Sequence, residues 1–366
     1  MPKIKEILKI VCVLTILLLL VMACSAQEPQ KEKPLENQQI SNIRWIKHSK
    51  NPVLEGGTQG SWDEYRADPF VMKNGDTYKM WYGGHKPPTD SGQAGEFQET
   101  KGQIGYAESK DGISWQVHPN PVVTNGPPGS PDFQVAEVPT VIKDGTRYEM
   151  WYSGKANDDA LNNIFHAISS DGIHWVKDTA NPVLRYSEIP NAWDSWGILE
   201  PTVITEGGVY KMWYTAISVD DSSNPTFMLI RLGYATSQDG SHWNVHEGNP
   251  VLDLAKISLA DPNSKEATTF NTASFVLHNG KEYELWYMGG VSPDVYATSK
   301  DGIHWSKQEG MIISEGKEGE WDSWSLNSPS VVIEPDGTYT MWYMGWTVDL
   351  ERGLRFGIGY ATNGTV

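Results

Sequence analysis

The chain has 366 residues, of which 39% are hydrophobic and 20% charged, a composition too apolar for a disordered segment and sufficient for a large core. Its formal net charge of -17 argues against a nucleic-acid partner, because phosphate contacts need a basic face. The 16 Trp and 16 Tyr favour β structure and supply flat rings on which sugars stack.

The N-terminus has the layout of a secretion signal. Three lysines within the first nine residues precede an apolar run from Ile10 to Ala23, which is too short for a comfortable membrane span. The run ends at Ala23 and Cys24, and in this it resembles a bacterial lipoprotein signal. We therefore expect a signal peptide over residues 1–23, a lipid anchor on Cys24 and a place in the bacterial cell envelope, on the periplasmic face or the cell surface. An ordinary signal peptide with an incidental cysteine is the alternative.

The segment after the signal is polar, and we expect residues 24–41 to form a flexible tether. Both cysteines of the chain, Cys12 and Cys24, lie in or directly after the signal. The body of the protein therefore has no disulfide, cysteine nucleophile or cysteine-ligated zinc.

The body contains five copies of one unit. Each copy has an apolar strand, a turn with glycine, and a second strand that carries an aromatic Tyr-x-Met/Leu-Trp-Tyr string. The five strings are Tyr78–Tyr82, Tyr148–Tyr152, Tyr210–Tyr214, Tyr283–Tyr287 and Tyr339–Tyr343. A second hairpin with an Asp-Gly turn follows in the first four units and ends in a tryptophan. These tryptophans are Trp115, Trp175, Trp243 and Trp305. Each unit is thus predicted to be a four-stranded antiparallel sheet.

The fifth unit ends after its third strand, and the missing strand is found at the other end of the chain. Ile43 to Trp45, followed by Asn51 to Val53, matches the fourth strands of the other units. An N-terminal strand that completes the last sheet closes a ring and leaves no free edge. We therefore predict an all-β fold with one domain, a five-bladed β-propeller over residues 42–366.

Comparison of the five copies separates structural residues from candidates for function. Residues that recur in most blades are expected to be structural. They are the histidines of the Asp-Gly turns (His174, His242, His304) and the aspartates before each first strand (Asp63, Asp132, Asp194, Asp322). His166 replaces a tyrosine of the other blades and is expected to be a core substitution.

Carboxylates at the start of the first strand break the repeat. Asp68, Glu137 and Glu200 stand there in blades one, two and three, whereas blades four and five have small neutral residues, including Ser328. First strands surround the axis of a propeller, so we expect these acids to face one another at one end of the central funnel. Neighbouring carboxylates raise one another's pKa, which suits acid–base catalysis. A calcium site, or acids that cap backbone amides, is the alternative.

This order of acids resembles that of the five-bladed propeller glycoside hydrolases, in particular family 43 with its arabinanases, β-xylosidases and arabinofuranosidases, and more distantly the invertase and mannoside phosphorylase groups. The resemblance implies Asp68 as general base, Glu200 as general acid and Glu137 as the residue that modulates the pKa of the acid. It implies an inverting hydrolysis of oligo- or polysaccharides by a monomer. No cofactor is required, although the acidic funnel leaves room for a structural calcium ion.

Sugar contacts are expected from side chains near the funnel that break the repeat. These candidates are Arg66, His85, Trp196 and Trp346, and each has ordinary loop packing as its alternative.

Three other functions remain open from the sequence. A glycoside phosphorylase would need a phosphate pocket, for which Arg66, His85, Lys86, Arg231 and Arg355 are available. A sialidase-like enzyme would share the Asp-Gly turns, but sialidases usually have six blades and an arginine triad. A non-catalytic lipoprotein that binds glycans is the third alternative, since a fold does not determine a function.

Overall fold

The computed structural model describes residues 45–86, 101–157, 160–259, 274–287, 295–308, 313–349 and 353–363. The predicted signal peptide, Cys24 and the predicted tether lie outside these ranges. The described residues form β-strands, turns and loops and no helix, so none of them belongs to a helix that would cross a bilayer.

The strands fall into five antiparallel sheets, which are the five blades. In chain order they are β1 (Trp45–Lys47) and β2 (Leu54–Glu55); β3 (Tyr65–Asn74), β4 (Thr77–His85), β5 (Gln103–Ser109) and β6 (Trp115–Val117) in blade one; β7 (Val135–Asp144), β8 (Arg147–Lys155), β9 (Asn163–Ser169) and β10 (Trp175–Lys177) in blade two; β11 (Ile198–Glu206), β12 (Val209–Val219), β13 (Phe227–Ser237), β14 (Trp243–Val245) and β15 (Leu252–Ser258) in blade three; β16 (Ser274–His278), β17 (Tyr283–Tyr287), β18 (Val295–Ser299) and β19 (Trp305–Gln308) in blade four; and β20 (Ser325–Ile333), β21 (Tyr339–Asp349) and β22 (Gly353–Asn363) in blade five.

The first strands of the blades form a closed ring. Strand β3 contacts β7, β7 contacts β11, β11 contacts β16, β16 contacts β20, and β20 contacts β3 again. The first strands therefore surround the axis, and the predicted five-bladed β-propeller is confirmed.

The ring closes through the N-terminal strand. Strand β1 pairs with β22, with Trp45 opposite Asn363, and β2 pairs with the same strand farther along. Lys47 Nζ lies 2.6 Å from a carboxylate oxygen of the buried Asp322, which fastens the closing strand to blade five. The predicted exchange of the last strand is thus confirmed.

The central tryptophan of each aromatic string joins two blades. In four blades its indole N–H donates to the carbonyl of the Asp-Gly glycine in the following blade. These bonds run from Trp81 to Gly172, Trp151 to Gly240, Trp213 to Gly302 and Trp342 to Gly112. Trp286 is the exception, and its indole nitrogen has no acceptor among the described residues. Blade five, which follows it, has no Asp-Gly turn before its fourth strand because that strand comes from the N-terminus.

Three of the four recurring aspartates are buried acceptors in repeated contacts, whereas the fourth, Asp194, is buried but its Oδ1 atom has no partner among the described residues. The hydroxyl of the tyrosine that ends the aromatic string donates to Asp63 and to Asp132 at 3.0 Å, and to Asp322 at 3.3 Å. A lysine from the fourth strand also bonds to Asp132 and to Asp322. These contacts repeat in different blades, as a structural role requires.

Candidate functional site

The acids stand on a backbone irregularity that recurs around the ring. The pairing register between first and second strands shifts in blades one, two, three and five. One residue in each shift has a left-handed φ, which is uncommon for any residue except glycine. The four residues are Asp68 (φ 49°), Val138 (φ 49°), Glu200 (φ 55°) and Ser328 (φ 51°). The bulge therefore belongs to the repeat, and only its side chain differs between blades.

This position changes the interpretation of the second acid. Asp68 and Glu200 occupy the bulge residue itself, whereas in blade two that residue is Val138 and Glu137 precedes it. Glu137 pairs with Ser153 across the strands, outside the bulge. The three acids are thus not equivalent, because each bulge residue directly precedes the proline that follows it and Glu137 does not.

Asp68 lies in a buried site with a hydroxyl donor and a second acid. Its side chain accepts a hydrogen bond from the Ser328 hydroxyl of blade five, and the residue is 8% exposed. Burial and the nearby Glu137 carboxylate raise the pKa of Asp68 to about 6, although the Ser328 bond and His85 act in the opposite direction. Asp68 is therefore ionised at neutral pH and still basic enough to accept a proton.

Glu137 and His85 complete this cluster. The Nε2 atom of His85 lies 3.4 Å from a Glu137 oxygen. Burial raises the pKa of Glu137, which Lys155 partly offsets, and burial lowers the pKa of His85. A Cβ atom at Gly83 would lie 3.4 Å from both Asp68 Oδ2 and His85 Nε2, so these two groups border one small space. The structure thus brings together three of the predicted site residues.

Glu200 is buried and held by two hydroxyl-bearing neighbours. The Thr215 hydroxyl donates to Glu200 Oε2 at 2.7 Å, and the backbone N–H of Glu200 donates to the Ser153 hydroxyl at 2.8 Å. Glu200 is only 3% exposed. Since Ser153 is also the cross-strand partner of Glu137, one residue connects the acids of blades two and three.

Sequence comparison missed the three hydroxyls that position the acids. In the sequence Ser328 is only a small neutral residue at the start of a first strand, and Ser153 and Thr215 follow the tyrosine that ends their aromatic strings. Blade one has Gly83 at that same position. The sequence therefore shows that blades two and three have a hydroxyl residue where blade one has glycine, but it does not show which acid each hydroxyl contacts.

Arg66 has structural partners. Its guanidinium donates to Asp63 from Nε at 2.8 Å and to the Glu55 carbonyl at 3.0 Å, and it lies over the Tyr82 ring. Arg66 thus pairs with Asp63 as a lysine pairs with the equivalent aspartate in blades two and five. Its predicted contact with sugar remains a prediction.

The two predicted tryptophan platforms lie in different surroundings. Trp346 is 4% exposed and stacks on Phe356 with ring centroids 5.8 Å apart, which favours the packing alternative. Trp196 is half-buried in the loop that enters β11, where its backbone N–H donates to the Ile217 carbonyl at 2.8 Å. Trp196 therefore keeps surface for a ligand, and Trp346 has little.

Three of the residues proposed for a phosphate pocket have partners within the protein, since Arg66 bonds to Asp63, Arg231 bonds to Asp253, and His85 lies beside Glu137. Arg231 donates to Asp253 and to the Ser218 hydroxyl, each at 3.1 Å. Arg355 lines a cleft at the junction of blades five and one. These partners weaken the argument for a phosphorylase.

His166 is a core residue, as predicted from its place in the repeat. It is 1% exposed, stacks on Trp151, and lies between Glu149 at 3.3 Å and Asp178 at 3.0 Å. Among the residues that the structure describes, no group of three or more His, Asp or Glu side chains is arranged to hold a metal ion.

Comparison with known sequences gives distant relatives. No family model matches the chain. The uncharacterized protein MT1551 of Mycobacterium tuberculosis is 25% identical over 244 residues, which are 64% of this chain and 71% of that protein. The A type blood N-acetyl-alpha-D-galactosamine deacetylase of Flavonifractor plautii is 24% identical over 211 residues, 54% of this chain and 26% of that enzyme.

Comparison with solved structures gives five-bladed glycoside hydrolases. A BT0996 RGII complex has a TM-score of 0.64 at 18% identity, over 86% of this protein and 91% of the BT0996 structure. Zg3597, a family 117 glycoside hydrolase of Zobellia galactanivorans, has a TM-score of 0.61 at 14% identity, over 87% and 91%. A thermostable family-43 glycoside hydrolase has a TM-score of 0.58 at 19% identity, over 84% and 91%. At these identities the likeness confirms the predicted resemblance for the fold.

Proposed function

We propose that the protein is a glycoside hydrolase that cleaves O-glycosidic bonds of oligo- or polysaccharides with inversion. One observation supports this most strongly: among the four described bulge residues, two are buried acids, and each is held by a hydroxyl. Burial of a carboxylate opposes folding. We therefore expect the acids at these two positions to have a function that the neutral residues of the other blades lack.

In this mechanism Asp68 removes a proton from a water molecule. The water oxygen attacks the anomeric carbon as the glycosidic C–O bond breaks, and Glu200 gives its proton to the leaving oxygen. Inversion requires the base and the acid to be roughly 6.5–9.5 Å apart, which leaves room for the water.

Glu137 and His85 have supporting roles in the proposal. The Glu137 carboxylate raises the pKa of Asp68 and so strengthens it as a base, while its predicted effect on the pKa of Glu200 stays a prediction. Because burial lowers its pKa, His85 is neutral at pH 7 and has one N–H to donate to a sugar hydroxyl or to Glu137. The mechanism uses these side chains alone and needs no cofactor.

The test is hydrolysis of nitrophenyl glycosides and plant-type oligosaccharides by the full-length protein, with and without phosphate. Asp68→Asn and Glu200→Gln should each lose at least about 100-fold in kcat. Glu206→Gln is the matched control, since Glu206 lies at the other end of the same strand β11 and bonds to Lys211. NMR of the first-formed anomer tests inversion.

Three results would contradict the proposal. Cleavage that survives both substitutions would show that the acids do not catalyse it, and glycan binding without cleavage would favour the non-catalytic alternative. Release of acetate from acetamido sugars, without cleavage of a glycosidic bond, would instead favour a deacetylase, as the name of the Flavonifractor plautii relative suggests.

We also propose that the protein is a monomer anchored to the cell envelope through lipidated Cys24. The support is the sequence pattern that ends at this cysteine. Membrane fractionation of cells that express the wild type or Cys24→Ala tests the anchor, since the variant should leave the membrane fraction. Light scattering of the protein in solution tests the oligomeric state.

A further inference from the structure

A cleft of about 170 Å³ lies where blade five meets blade one. We call it the junction cleft. It is smaller than the pockets of about 300 Å³ or more that take drug-sized ligands, so its size suits one sugar unit. Its lining includes two acids, three aromatic residues and one arginine: Glu55, Glu64, Tyr65, Trp321, Phe356 and Arg355.

Aromatic rings form part of the cleft wall. Tyr65 and Phe356 contact each other with ring centroids 4.8 Å apart, and Trp321 is half-buried against Tyr343. Such rings pack against the C–H faces of a sugar.

Arg355 is the donor of the cleft. Its side chain is half-buried, and it has no hydrogen bond or ion pair with any residue that the structure describes. A guanidinium offers five N–H donors, and the carboxylate oxygens of Glu55 and the Oε1 atom of Glu64 can accept hydrogen bonds from hydroxyl groups, while Glu64 Oε2 accepts one from the Gly60 N–H at 2.6 Å. Donors, acceptors and rings together fit a neutral sugar, whereas the two acids and the net charge of -17 oppose an anionic one.

The equivalent junction between blades one and two is built differently. Lys101 precedes Ile104 by three residues, as Arg355 precedes Ile358. Ile104 pairs with Val123 and Ile358 with Leu54, and each partner is the last residue of an Asn-Pro-Val-x string, so the two positions correspond. The Lys101 ammonium, however, lies 3.7 Å from the centre of the Phe133 ring. Glu64 stands at the position of Phe133, directly after the recurring aspartate. The cation is thus used in packing at one junction and left without a partner at the other.

The cleft is one packed layer from the proposed base. Phe356 stacks on Trp346, and Trp346 packs in one cluster with Ala67, the residue before Asp68. Because this cluster separates the acids from the cleft, a substrate that contacts both places must be an oligosaccharide.

We propose that the junction cleft is a second carbohydrate site, which binds a neutral sugar unit of an oligosaccharide whose reacting bond lies at the acids. This inference rests on the proposed function for the identity of the substrate. It makes the substrate a chain of several neutral sugars, with Arg355 and the aromatic wall as the residues that select length.

The test measures binding and turnover separately in the full-length protein. Neutral hexasaccharides of xylose, arabinose and mannose are titrated by calorimetry into the Glu200→Gln variant, with and without Arg355→Ala. The Arg355→Ala change should weaken binding of the best hexasaccharide about tenfold, as expected for one lost charge-assisted hydrogen bond. It should leave the disaccharide affinity unchanged. In the active protein it should raise KM for the hexasaccharide and leave kcat on a nitrophenyl glycoside unchanged.

Arg185→Ala is the matched control, because Arg185 follows Leu184 at the junction after blade two and is exposed. Equal hexasaccharide affinity for Arg355→Ala and Arg185→Ala would overturn the inference. So would the absence of binding by every neutral hexasaccharide, or binding of an oligogalacturonate alone. If no glycoside is cleaved, the proposed function fails, but an Arg355-dependent affinity for a hexasaccharide still supports the cleft.

Discussion

The charge on Asp68 should make the fold less stable above pH 6. Burial and Glu137 raise the pKa of this carboxyl from 3.8 to about 6. A group with a raised pKa stabilises the fold fully below its unfolded pKa, and that contribution is lost as the pH rises through the folded pKa. A difference of about two pKa units corresponds to about 3 kcal/mol of unfolding free energy, lost between about pH 4 and pH 6.

Asp68→Asn removes this dependence because an amide does not ionise. The amide oxygen keeps an acceptor for the Ser328 hydroxyl, and its volume is nearly that of the carboxylate. At pH 7 the variant should be more stable than the wild type by up to about 3 kcal/mol, which raises the Tm of a domain of this size by about 4 °C. At pH 4 the two proteins should differ little.

Scanning calorimetry from pH 4 to pH 8, at one scan rate, measures this difference. Asp322→Asn is the matched control, because its carboxylate is also buried but lies 2.6 Å from the Lys47 ammonium, so its removal should lower Tm. The reasoning would be refuted if Asp68→Asn had the same Tm difference from the wild type at pH 4 and pH 7, or a lower Tm at pH 7.

Three further predictions concern the neighbours of Asp68 and the closing strand. Glu137→Gln removes the charge that raises the pKa of Asp68, so the acidic limb of the kcat/KM profile should move to lower pH. Ser328→Ala and Ser328→Gly both remove the hydroxyl that lowers this pKa, so both should move the limb to higher pH by about one unit, although glycine suits the left-handed φ better. Lys47→Met breaks the ion pair of the closing strand and should lower Tm by about 3 °C, measured against Lys50→Met, which removes an exposed lysine.

The fold could be predicted from the sequence because the chain repeats. The five aromatic strings and four Asp-Gly turns give the number of blades. The fifth unit lacks a fourth strand and the N-terminus has one extra strand, which indicates how the ring closes. The pairing of Trp45 with Asn363 confirms this. Four of the blades bond the same tryptophan to the next blade, so the repeat in sequence is directly a repeat in contacts.

The positions of the acids could be predicted only in part. A proline follows each bulge residue, and this signal distinguishes Asp68 and Glu200 from Glu137, which has Val138 after it. The hydroxyl partners were not predictable in this way. Ser328 reaches Asp68 from another blade, and such a contact depends on how two sheets pack and not on spacing along the chain.

Loop residues were the least predictable. Arg66 breaks the repeat and gives Asp63 the positive charge that Lys177 and Lys47 give to the equivalent aspartates in blades two and five, whereas blade one has Val117 at the position of these lysines. A side chain that departs from the repeat therefore either has a new function or replaces a lost contact. Its contacts in the structure distinguish the two cases.

Arg355 differs from Arg66 in whether its guanidinium has a partner within the described part of the protein. Arg66 departs from the repeat and has an ion pair, whereas Arg355 departs from it and has no polar partner among the described residues. The junction of blades five and one also holds the Ser328 bond to Asp68 and the closing strands β1 and β2. Blade five thus meets blade one both at the hydroxyl that positions the proposed base and at the cleft where we infer sugar binding, so a change in how these two blades pack should affect both places.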